Sequence, residues 1–130
     1  MSHAQRILVV DDSDHVRILV SKYLKQRGFS ELEMAANGNI ALEKAKVFHP
    51  KIIFLDAIMP EMGGLAVLRQ VKKEYPDVIV VIMSSLSAFD EIQEFKTAGA
   101  DFYLLKPFEP GKFNEVADKA IALAQTRKEG

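Results

Sequence analysis

With 130 residues, 17 basic against 18 acidic side chains and a net charge of −1, the chain has the length of one domain. It lacks any chain-wide electrostatic footprint for nucleic acid or an anionic membrane. The absence of cysteine excludes disulfides, thiol catalysis and cysteine-ligated metal centres. The longest apolar run, residues 78–83, is far short of the ~20 residues a membrane span requires. No signal-peptide pattern is present, so a cytoplasmic location is expected.

Five short apolar runs alternate with stretches of helical spacing. Residues 7–10 form the first run, and Val16, Leu19, Val20, Tyr23 and Leu24 then lie on one helical stripe, stopped by Gly28. Residues 32–36 form the second run, broken at Asn37-Gly38, and residues 40–47 read as a short helix ending at His49-Pro50. Residues 52–55 form the third run, followed by a stripe of Leu65, Leu68 and Val71 that Tyr75-Pro76 closes. Residues 78–83 form the fourth, followed by Phe89, Ile92 and Phe95 with Gly99 at the helix end. Residues 103–105 form the fifth, and Phe113, Val116, Ala117, Ala120, Ile121 and Ala124 mark the last helix. Most of the runs lack polar alternation, which suits strands buried on both faces of a parallel sheet. The expected class is α/β: five βα units, doubly wound by right-handed crossovers. In such sheets ligands bind beyond the carboxyl ends of the strands.

Those ends carry chemistry. Asp11-Asp12 follow the first strand, Asp56 the third, Ser84-Ser85 the fourth and Lys106-Pro107 the fifth. Each has a bland alternative. Residues 11–14 (DDSD) could serve only to cap the first helix, Ser84-Ser85 could open a helix, and a lone lysine is usually solvated surface. Together, three acids, a hydroxyl and an ammonium at one sheet edge are harder to dismiss. Two carboxylates 4 Å apart repel by about 4 kcal/mol at an effective dielectric of about 20, so the cluster calls for a cation or a raised pKa. Oxygen ligands with room for water and phosphate suit Mg²⁺, with Mn²⁺ as a substitute. A carboxylate beside such an ion, an ammonium and a hydroxyl is equipped to accept a phosphoryl group, with Asp56 as the nucleophile.

The motifs ILVVDD (7–12), DAIMPEMGG (56–64), IMSS (82–85), AGA (98–100) and YLLKPF (103–108) resemble those of response-regulator receiver domains. The resemblance spans residues 5–126, leaving tails at 1–4 and 127–130. It implies a flavodoxin-like, CheY-like sheet of strand order 2-1-3-4-5 and a phosphoryl acceptor at Asp56. It also implies Mg²⁺ held by Asp11, Asp12, Asp56 and the backbone carbonyl of Ile58; of the two leading acids, the second is the usual direct ligand. Lys106 would contact the phosphoryl oxygens, with a cis bond to Pro107. Ser84 and Tyr103 match the switch hydroxyl and switch aromatic that relay phosphorylation to the surface of the fourth helix, fifth strand and fifth helix. The implied partners are a sensor histidine kinase or phosphotransfer protein upstream and an unnamed protein target downstream, with no nucleic acid or membrane. A phosphorylation-dependent homodimer stays open, as does the choice between a stand-alone regulator and a receiver from a longer one.

The sequence departs from the family pattern at Gly63, where Asp or Asn is common and would cap the third helix. Ile58 and Leu86, two residues beyond the acceptor and the switch hydroxyl, are apolar and cannot orient a hydrolytic water through a side chain, so slow dephosphorylation is expected. The chain is therefore read as a non-enzyme that catalyses only its own phosphorylation and slow phosphate loss. An aspartate-nucleophile phosphohydrolase would typically place a second Asp where Ile58 stands. A flavodoxin would not put Asp11-Asp12 against an FMN phosphate. A phosphorylation-independent interaction scaffold remains as a third reading, opposed by the intact Asp12, Asp56, Ser84 and Lys106. His3, His15 and His49 share no metal-ligand spacing, and Asp90, Glu91 and Glu94 read as a wet helix face.

Overall fold

The computed structural model describes residues 5–127; His3 and most of both expected tails lie outside them. Within that span the elements run β1 (Ile7–Val10), α1 (Asp14–Gln26), β2 (Leu32–Ala35), α2 (Gly38–Phe48), β3 (Ile52–Asp56) and α3 (Gly64–Glu74). They continue with β4 (Ile79–Ser84), α4 (Phe89–Thr97), β5 (Phe102–Leu105) and α5 (Pro110–Arg127). The strands are parallel and ordered β2-β1-β3-β4-β5. The doubly wound (βα)5 reading therefore stands, with element ends shifted by one to three residues.

Burial follows directly from that order. The three central strands, β1, β3 and β4, are buried at every position. The outer strands β2 and β5 keep exposed residues such as Glu33, Met34 and Leu105. Side-chain alternation splits the core in two. Ile7, Val9, Phe54, Val81 and Met83 pack under α1 and α5 with Leu24 and Phe113. Leu8, Val10, Ile53, Leu55 and Ile82 pack under α2, α3 and α4 with Val67, Leu68 and Phe95.

Several predicted punctuation marks have a clear structural cause. Gly28 and Gly99 take φ of 97° and 112° just beyond α1 and α4, a conformation that side-chain-bearing residues adopt at a cost. Asn37 caps α2 by accepting the Ile40 amide at 2.9 Å, so the helix begins at Gly38 rather than at Ile40. A Cβ on Gly38 would stand 2.7 Å from Val67 Cγ2, so glycine there lets α2 approach α3. His49 closes α2 at φ 53°.

Register then aligns the strand ends. Val10 lies beside Leu55 and Asp56 beside Met83, so one residue further Asp11 and Asp56 emerge side by side at the carboxyl edge. Ser84 pairs with Leu105, which brings Lys106 out next to the same edge.

Candidate functional site

The DDSD segment divides its labour. Ser13 is the N-cap of α1, its hydroxyl accepting the Val16 amide at 3.3 Å. Capping is thereby met without the two preceding acids. Asp11 is fully buried and accepts the Ser13 amide at 2.9 Å, whereas Asp12 is exposed. Carboxylate oxygens of Asp11, Asp12 and Asp56 all lie within 4.8 Å of one another.

Lys106 reaches back into this cluster. Its Nζ donates to Asp11 Oδ2 at 2.9 Å and to Asp56 Oδ1 at 3.2 Å. Its own amide donates to the Ser84 carbonyl at 2.7 Å, and its bond to Pro107 is cis. Burial disfavours the ammonium charge, but the hydrogen bond to Asp11 and the charges of Asp56 and Asp11 outweigh it and raise the Lys106 pKa. Asp56 is 5% exposed. Burial first, then the Asp11 charge, push its carboxyl from 3.8 up to about 6 against the opposing pull of Lys106. One ammonium thus only partly offsets three acids. Such an all-oxygen, charge-deficient group fits a hard divalent cation.

Ser84, 2% exposed, ends β4 and accepts the Leu86 amide on its hydroxyl at 2.9 Å. Tyr103 is half-buried on the edge strand β5. Its ring meets Phe95 edge-on at 6.1 Å, and its hydroxyl donates to the Leu86 carbonyl at 3.1 Å. Ile58 sits in the loop leaving β3 with its side chain 60% exposed. His15 and His49 are exposed and belong to no metal-type cluster among the described residues.

Two positioning roles were not read from the sequence, that of Arg17 and that of Gly64, the latter matched only as the glycine closing the family motif at residues 56–64. Arg17 donates through Nη1 to the Asp11 carbonyl at 2.5 Å and pairs through Nη2 with Asp14, bracing the acidic loop from the second turn of α1. Only the i,i+3 spacing of Asp14 and Arg17 hinted at it. Gly64 is the other: its amide donates to the Ala57 carbonyl at 2.9 Å. A Cβ there would lie 2.2 Å from the Asp56 carbonyl oxygen, so glycine lets the loop fold back against the end of β3.

A family model described as the response regulator receiver domain matches residues 7–118. The chain belongs to that family. Receiver domains are signalling modules, and membership places the chain in phosphorelay signalling. It is 30% identical over 115 residues to the chemotaxis protein CheY of Thermotoga maritima, covering 88% of this chain and 96% of that one. It is 32% identical over 119 residues to sporulation initiation phosphotransferase F of Bacillus subtilis, covering 92% of this chain and 95% of the relative. Regulatory protein AtoC of Escherichia coli is 33% identical over 129 residues, 99% of this chain, but the chain spans only 28% of that relative's length. Among solved structures, a CheY-like receiver domain from Methanospirillum hungatei superposes with a TM-score of 0.89 at 26% identity, covering 98% of this chain and 100% of the other. Among the described residues no helix is long and apolar enough to cross a membrane.

Proposed function

We propose that the receiver unit, residues 5–126, takes a phosphoryl group onto Asp56. The donor would be the phosphohistidine of a sensor histidine kinase or a phosphotransfer protein. The observation that carries this reading is the shared ammonium: Lys106 bonds both Asp11 and Asp56 and so stands where new phosphoryl oxygens would need a positive charge.

A carboxylate oxygen of Asp56 attacks phosphorus as the bond from phosphorus to the donor nitrogen breaks; an acyl phosphate forms, and the imidazole, protonated on its other nitrogen, keeps the electron pair of the broken bond and departs neutral. Lys106 then exchanges part of its bonding to Asp56 for the phosphoryl oxygens. Asp11, Asp12, Asp56 and the Ile58 carbonyl would hold Mg²⁺, or Mn²⁺ in its place. Bound there, the ion supplies charge neutralisation for the acids and the incoming phosphoryl group. Asp11 is already engaged by Lys106 and the Ser13 amide, whereas Asp12 is exposed. That difference supports Asp12 as the direct ligand and Asp11 as one acting through water.

Ser84 and Tyr103 would pass the event to the α4-β5-α5 surface, where Phe89 and Leu105 are exposed apolar residues, for an as yet unidentified protein target. The change is a shift in population between two surface states.

Incubation with Mg²⁺ and acetyl phosphate, followed by intact-mass measurement, tests the reading. A single phosphoryl adduct, stable in acid, labile in base and lost in Asp56→Asn, is expected. Sustained turnover of the donor would instead indicate a phosphohydrolase, and the absence of any adduct a phosphorylation-independent scaffold.

A further inference from the structure

At the opposite end of the strands from Asp56, a cavity of about 180 Å³ opens between α2, α5 and the segments that enter β3 and β4. Its walls include Ala45, Ile53, Val78 and Ala124, all apolar. Lys51, Tyr75, Asp77, His49 and Arg127 supply its polar groups.

The guanidinium is held in place from behind. Arg127 Nη2 pairs with Asp101 Oδ1 at 3.1 Å, and that carboxylate is 9% exposed. Asp101 in turn binds Lys72 Nζ at 3.0 Å and the Val80 amide at 2.9 Å through its other oxygen. Lys72 also donates to the Val78 carbonyl at 2.5 Å. Asp101 therefore balances two cations with one carboxylate. Arg127 Nη1 is buried and has no hydrogen-bond partner among the described residues. A buried, unmatched N–H on a cation is costly; this atom is closed to a water-sized contact, so a ligand meets it when the guanidinium, on a side chain 33% exposed, turns toward the cavity. Lys51 adds a second positive charge against the single acid, Asp77.

We propose that this cavity binds a small organic anion, a carboxylate on a compact apolar body, with the carboxylate on Arg127 and the body against Ala45, Ile53, Val78 and Ala124. An apolar cavity of about 150 Å³ accommodates one benzene ring, so a ring with one carboxylate matches the size. The charge-assisted bond to Arg127 supplies the preference for an anion. The cavity residues of β3 and the segments entering β3 and β4 lie toward the strands' N-terminal ends, opposite the acidic cluster at their carboxyl ends.

Benzoate titrated into the ¹⁵N-labelled full chain tests this, with benzyl alcohol and inorganic phosphate as matched controls. Saturable amide shifts confined to Lys51, Ile53, Tyr75 and Val78 are expected. Affinity should fall about tenfold or more for benzyl alcohol and for Arg127→Gln, the loss expected for one hydrogen bond to a charged group. Ala124→Leu should abolish the shifts by filling the cavity. Arg127→Gln changes a half-buried side chain at a helix end and keeps the test decisive should the Ala124 variant misfold. Non-saturating or scattered shifts would overturn the proposal. So would equal affinity for benzyl alcohol or phosphate, or unchanged binding in Arg127→Gln.

Discussion

The Tyr103 hydroxyl donates to the backbone carbonyl of Leu86 at 3.1 Å. The amide of that same residue donates to Ser84 Oγ at 2.9 Å, so one residue holds the serine on its N–H side and the tyrosine on its C=O side. A displacement of Ser84 that keeps its bond to Leu86 would carry the acceptor of Tyr103 with it. Tyr103→Phe and Ser84→Ala are each expected to destabilise by about 1 kcal/mol, the usual net loss for one hydrogen bond. Because both act through Leu86, the double variant should differ from the sum by about 0.5 kcal/mol or more. Urea unfolding of the four proteins measures this, and strict additivity would show that Leu86 does not couple them.

The electrostatics of Asp56 make a second prediction, about stability. Burial and Asp11 raise its carboxyl from 3.8 to about 6, so the folded chain binds this proton more tightly than the unfolded chain does. The stability tied to Asp56 is therefore full below 3.8 and is lost as pH rises through about 6. Asp56→Asn removes that loss. In a chelator, the variant should be more stable than the wild type by on the order of 1–3 kcal/mol near pH 8, with the advantage shrinking to nothing near pH 4. Adding Mg²⁺ should stabilise the wild type by mass action and the variant much less. Urea midpoints at the two pH values decide it. A variant that is less stable near pH 8 would contradict the repulsive balance.

The acids and Lys106 were legible because each follows an apolar run, and parallel register converts "after a strand" into "at the same edge". The order of strands was not deducible from periodicity alone. It came from the family resemblance, and the uniform burial of β1, β3 and β4 against the partial exposure of β2 and β5 shows why. Hydrophobic pattern distinguishes central from edge strands but does not rank them. The bracing roles of Arg17 and Asp101 were hard to read for another reason. Each has a backbone partner, the Asp11 carbonyl and the Val80 amide, that leaves no mark in sequence, and the side-chain partners of Asp101, Lys72 and Arg127, lie 29 and 26 residues away. The start of α2 was misplaced because a cap decides it: Asn37, which looked like a break, is the N-cap from which α2 begins at Gly38.

Two adjacent glycines should respond oppositely to substitution. Gly63 is the N-cap of α3 with φ −73° and ψ 165°, and it makes no side-chain capping bond. The nearest atom to a Cβ there would be the Ala57 carbonyl at 4.0 Å. Gly63→Ser can add a cap and reduces the freedom of the unfolded chain, a gain of about 0.5–1 kcal/mol. Gly64→Ala would drive its methyl to 2.2 Å from the Asp56 carbonyl and 2.8 Å from Ala57 Cα. Backbone cannot yield cheaply, so a loss of about 3 kcal/mol or more is expected, at the upper end for overpacking. Thermal melts of both variants check the contrast. A neutral Gly64→Ala would mean that the turn at residues 57–63 shifts freely.

The lifetime of the proposed acyl phosphate depends on who can hold the attacking water. Ile58 presents an exposed sec-butyl side chain in the loop leaving the acceptor strand, and Leu86 is half-buried with both of its backbone groups occupied by Ser84 and Tyr103. Neither side chain can donate or accept a hydrogen bond, so a water approaching phosphorus is oriented by neither. Replacing them with Ile58→Asn and Leu86→Glu supplies polar groups at both positions. General-base or positioning assistance is worth about 10²-fold at the lower end, and an imperfectly placed side chain should give a fraction of that. A roughly tenfold faster decay is expected for the double variant, with a smaller gain for each single one. Decay is followed by intact mass after removal of acetyl phosphate. Ile58 is exposed, so its single variant should not disturb folding, and unchanged decay in all three variants would place control of hydrolysis elsewhere.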